Sequence, residues 1–188
     1  MTLSSNLLTR RKAVQGAVAL VGGTLAATQL GSLVRSVSAM DDNSLPQFFS
    51  PRQFLLIEKI VDLVIPETDT PGAKTAGVHR FIDLMMAEWA SPETQSRYVE
   101  GLQEIDARAG GSFSAISPTR QLDLLATLDA EAYADDAGDI FFKDFKTFIL
   151  FGYYSSEEGA AIELKFDRLP GAYVGCVPFE DIGRSWST

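Results

Sequence analysis

The chain has 188 residues, 46% hydrophobic and 22% charged, and its 16 basic and 25 acidic side chains give a formal net charge of −9. That length suits one domain with a single buried core, and the acidic balance repels phosphate backbones, which argues against nucleic-acid binding as a role. A lone cysteine, Cys176, and a lone histidine, His79, leave no intramolecular disulfide, no Cys- or His-cluster metal centre and no haem-attachment motif.

Residues 1–39 read as a separate unit. Thr9-Arg10-Arg11-Lys12 is charged, residues 13–33 are mostly apolar or small, and Val37-Ser38-Ala39 offers the small residues of a cleavage site. The consecutive Arg10 and Arg11, ahead of an Ala- and Gly-rich stretch, mark an N-terminal signal helix of the twin-arginine type, addressed to the twin-arginine translocase. About 20 apolar residues also suffice for a membrane anchor, but the cleavage motif and Gly22-Gly23 favour a removable signal. The expected destination is the periplasm. Residues 40–188, read as one domain, hold 12 basic against 25 acidic residues, a net −13. The twin-arginine route carries folded proteins, often with a cofactor inserted, yet this chain has no cofactor motif. A partner carried along with it would resolve that mismatch.

Helix starts follow in chain order. Ser50-Pro51-Arg52-Gln53 places a cap, a proline at the first helical position and a capping box, with Phe54, Ile57, Val61 and Val64 at helical spacing and Pro66 as the stop. Val78 to Trp89 continues the pattern through Phe81, Ile82 and Met85. Ser91-Pro92 opens a helix carrying Tyr98, Leu102 and Ile105 that ends at Gly110-Gly111, and Ser117-Pro118 opens another with Leu122, Leu125 and Leu128. Phe141 to Tyr154 is the most hydrophobic stretch after the leader, with Phe141, Phe145, Phe148 and Gly152 on one face, flanked by Phe142, Ile149 and Tyr153, and is expected to be the central core helix. Ser155 and Glu158 form a further expected capping box, for a short helix through Leu164. No run alternates with period two for long enough to make a sheet. The fold class is therefore all-α, a small irregular helical bundle with an extended Pro/Gly-rich C-terminal tail.

Chemistry is sparse. There is no Gly-x-Gly-x-x-Gly, phosphate loop or Gly-x-Ser-x-Gly elbow, so no catalytic, cofactor-binding or metal-binding residue is assigned. His79 reads as structural or exposed rather than catalytic, and Cys176 as a buried or interface thiol. Two segments exceed plain connectors. Residues 66–73, Pro-Glu-Thr-Asp-Thr-Pro-Gly-Ala, combine rigid prolines with side chains that bond backbone amides. Residues 171–188 carry Tyr173, Cys176, Arg184 and Trp186 on a stiffened tail, residue types that dominate interfaces. Docking to a partner and folding back on the domain's own core are both open to this tail.

Those segments together resemble the gluconate 2-dehydrogenase subunit 3 family. The resemblance rests on the leader, on Val64 to Ala73 followed by Gly77-Val78, on Phe151-Gly152-Tyr153-Tyr154-Ser155-Ser156-Glu157, and on Pro170-Gly171-Ala172-Tyr173, Gly175-Cys176 and Gly183-Arg184-x-Trp186. It implies a non-catalytic small subunit of a periplasmic FAD-dependent dehydrogenase complex. FAD would sit in a large flavoprotein subunit of the glucose–methanol–choline (GMC) type, with a c-type cytochrome as electron acceptor and room for iron–sulfur and haem c centres elsewhere in the complex. Attachment of that complex to the inner membrane is left open. The substrate would be a sugar, a glycoside oxidised at C3, or gluconate; nothing in the chain selects among them. The small subunit would supply the export signal and help mature the flavoprotein. Expected docking residues are Glu67, Asp69, Pro71, Tyr153, Tyr154, Tyr173, Cys176, Arg184 and Trp186. The alternative is a free-standing exported helical protein that acts as a binding protein or chaperone.

Overall fold

Three Ser-Pro steps set the helix pattern. A computed structural model describes residues 45–134, 140–169, 171–172 and 176–187; Arg10, Arg11 and Tyr173, and the boundary expected at residue 39, lie outside them. The described residues fall in one compact unit. Helix α1 spans Pro51–Val64, α2 Val78–Glu88, α3 Pro92–Arg108, α4 Pro118–Tyr133 and α5 Ile140–Tyr154. At the head of α1 the Ser50 hydroxyl accepts the Gln53 amide at 3.4 Å while the Gln53 side chain accepts the Ser50 amide at 3.1 Å. Ser91 and Ser117 cap α3 and α4 likewise, accepting the amides of Thr94 at 3.2 Å and Arg120 at 3.4 Å. Each cap satisfies an amide that the helix itself cannot, which is worth about 1 kcal/mol.

Helix α5 is the centre, packed against α2, α3 and α4. The Phe141 and Phe145 rings stack at 5.5 Å, and Tyr98 of α3 meets them edge-on at 5.3 and 6.0 Å. Phe81 of α2 packs on Phe148 and Phe151 at 6.5 and 6.0 Å. Burial of each such ring contributes roughly 1.5–3 kcal/mol, so the aromatic run of α5 orders the bundle. The buried stripe of α4 is Gln121, Leu125, Leu128 and Ala132, whereas Leu122 is 50% exposed. Gln121 takes the inward position because its amide donates to the Phe113 carbonyl at 2.8 Å, in the 3-10 turn Phe113–Ala115. His79 is buried with its ring 5.1 Å from that of Phe54, a structural placement.

Two stretches differ from the sequence expectation. The helix after α5 is a π-helix, Glu158–Glu163, with Glu157 as its N-cap and no side-chain cap bond, and Ser156 rather than Ser155 bonds to its first turn. The Ser156 hydroxyl donates to the Tyr153 carbonyl at 2.6 Å and accepts the Gly159 amide at 3.0 Å. The Leu164 amide then reaches back five residues to the Gly159 carbonyl at 2.9 Å. Gly159 lies so close to α5 that a Cβ there would sit 2.0 Å from the Tyr153 carbonyl oxygen. The short π-turn therefore follows from tight backbone contact, which a capping-box pattern does not encode. The tail contains one helical turn, α6, at Phe179–Ile182, and then returns to the body through an isolated parallel bridge between Lys165 and Trp186. No other β pairing occurs among the described residues, and no helix among them is long and apolar enough to cross a membrane.

Candidate docking site

The polar loop between α1 and α2 is folded on itself. Its Ala73 amide donates to the Ile65 carbonyl at 2.9 Å and its Thr68 amide to the Thr70 carbonyl at 3.0 Å. Gly72 sits at the crossing, where a Cβ would lie 2.7 Å from the Glu67 nitrogen. Lys74 pins the loop to α1 through Glu58 at 2.6 Å, and this hydrogen bond raises the Lys74 pKa. Glu67 is exposed but turned onto its own loop, accepting the Thr75 hydroxyl at 3.0 Å. Asp69 is exposed and Pro71 half-buried.

Tyr153 ties this loop to α5. It is 1% exposed, and its hydroxyl donates to the Pro71 carbonyl at 2.7 Å. It is thus an internal strut, not a surface for a partner, and its neighbour Tyr154 takes the outward position at 42% exposed. Burial pushes the Tyr153 phenol pKa up, and Glu163 adds to the rise. A second tie runs from the Thr70 hydroxyl to Glu163 at 2.6 Å, so the loop is attached to the π-helix as well.

The tail completes the site. The Lys165 amide donates to the Ser185 carbonyl at 2.8 Å and the Ser187 amide to the Lys165 carbonyl at 2.9 Å. The Lys165 ammonium lies over the Trp186 ring at 4.6 Å from its centroid, a cation–π contact. Arg184 donates to the Ile162 carbonyl. The two segments that stand apart in the sequence, residues 66–73 and the tail, thereby meet across a cleft of about 490 Å3 lined by Thr68, Asp69, Thr70, Ile162, Glu163 and Arg184. Two carboxylates and one guanidinium can there bind a polar partner group through charge-assisted hydrogen bonds. Cys176 is exposed, away from any interior position. Among the described residues, no group of three or more His, Cys, Asp or Glu side chains is placed to hold a metal ion. A larger groove of about 660 Å3, between α1 and α3, contains none of the residues nominated from the sequence and is bridged by Arg52 to Asp106 at 2.8 Å.

Sequence reasoning missed two features. Asp83 is 3% exposed, and its carboxylate accepts three successive amides, Gln47 at 2.6 Å, Phe48 at 3.1 Å and Phe49 at 2.9 Å. Partners some 35 positions away leave no local signal. The second is a concentration of exposed apolar side chains. Of thirteen large hydrophobic residues exposed among those described, nine lie between Leu150 and Trp186. On α5, Leu150, Phe151 and Tyr154 share one side of the last turn. Further along come Ile162, Phe166 at 59% exposed, Leu169 at 84%, and Phe179 at 66%. The signal was present in the aromatic content of the tail, but exposure could not be read from it.

The family model described as gluconate 2-dehydrogenase subunit 3 matches residues 51–171. That interval includes the polar loop, all of α5 and the π-helix, and ends before Cys176, Arg184 and Trp186. No curated protein and no solved structure matches the chain. The family implies membership of a dehydrogenase complex that has a catalytic subunit.

Proposed function

Because the chain belongs to the gluconate 2-dehydrogenase subunit 3 family, we propose that it is the non-catalytic small subunit of a periplasmic FAD-dependent dehydrogenase complex, which docks and helps export the catalytic flavoprotein. The flavin belongs to that partner, a GMC-type subunit oxidising a sugar, a glycoside at C3 or gluconate and passing electrons to a c-type cytochrome. The observation that carries the docking part is the exposed apolar surface between Leu150 and Trp186 beside the polar cleft. Exposed apolar area of this kind, rimmed by charged groups, is what a permanent partner covers. The carrier part rests on Arg10 and Arg11 in the leader.

Two experiments test the reading. Purification of the tagged chain from native periplasm should yield flavin absorbance and a large co-eluting polypeptide, with haem bands if the cytochrome stays bound; a colourless single chain defeats it. Replacing Arg10 and Arg11 together by lysine should strand the dehydrogenase activity in the cytoplasm. Undiminished periplasmic activity would remove the carrier role.

A second reading has one observation in its favour, the meeting of Asp69 and Arg184 across one cleft. In it these side chains line the partner's substrate pocket. Asp69→Asn would then raise the complex's KM for its sugar substrate without lowering the yield of complex, whereas a fall in yield alone assigns the cleft to docking.

A further inference from the structure

We draw no further inference here: the strongest candidate, the exposed apolar patch of Leu150, Phe151 and Tyr154 on the last turn of α5, belongs to the docking surface already described, and nothing in the structure shows what covers it.

Discussion

The five-helix body and the segment after Tyr154 solve opposite problems with the same residue types. In the body, Phe141, Phe145 and Tyr98 are all buried and packed ring against ring. Beyond it, Phe166, Phe179 and Trp186 lie 59%, 66% and 43% exposed, and a few hydrogen bonds hold the backbone in place. The body folds by hiding its aromatics from water. The path of the last segment is set by polar ties, and its aromatics stay in contact with water. Aromatic content therefore reports core packing in the first region and not in the second, and only exposure tells them apart.

The largest expected effect belongs to the body. Phe145→Ala should cost about 4 kcal/mol by opening a cavity where Phe141 and Tyr98 now pack, measured by denaturant unfolding. Gly159→Ala, at the seam between the two regions, should cost about 2–3 kcal/mol because the new methyl meets the backbone of α5, and should loosen the π-helix without melting α1–α4. Hydrogen exchange confined to residues after Tyr153 would confirm that the seam is local; global loss of protection would show that the two regions fold as one.

Smaller effects sharpen the contrast. Tyr98 is fully buried, its hydroxyl has no hydrogen-bond partner among the described residues, and burial pushes its pKa up. A phenol whose folded pKa is raised binds its proton more tightly in the folded state, so its contribution is full below the unfolded value near 10 and is lost as pH rises above it. Tyr98→Phe should leave neutral-pH stability unchanged or raise it by up to about 1 kcal/mol, and should lessen alkaline unfolding above pH ~10. Phe179→Ser should change stability by less than about 0.5 kcal/mol, since that ring is mostly in water already. A loss as large as that of Phe145→Ala would place Phe179 in a core.

Legibility followed the range of the interaction. The Ser-Pro starts at Ser50, Ser91 and Ser117 are visible because a cap and the amide it accepts lie within three residues. The periodicity of α5 is visible for the same reason. Leu122 was misread since a helical stripe tolerates a neighbour 100° away, and the long-range bond of Gln121 to Phe113 decided which residue turned inward. Within the site, the loop at 66–73 and the tail were each legible as unusual, but their meeting was not, because Asp69 and Arg184, which line the shared cleft, are 115 positions apart. Tyr153 was nominated for a partner and serves the interior instead, while its neighbour faces outward. Sequence types such as tyrosine at the end of a core helix fit both roles, and the Pro71 carbonyl settles which.

Asp83 has a mechanical meaning. Its carboxylate holds the amides of Gln47, Phe48 and Phe49 in three parallel bonds, just before the chain enters α1. Any pull exerted through the N-terminal 46 residues is delivered to α2 at that point, and the load is shared across three charge-assisted bonds before α1 feels it. The segment around Phe179, towards the other end of the chain, shares none of these three bonds. A tug on the front of this protein is therefore met by α2 before it reaches α1.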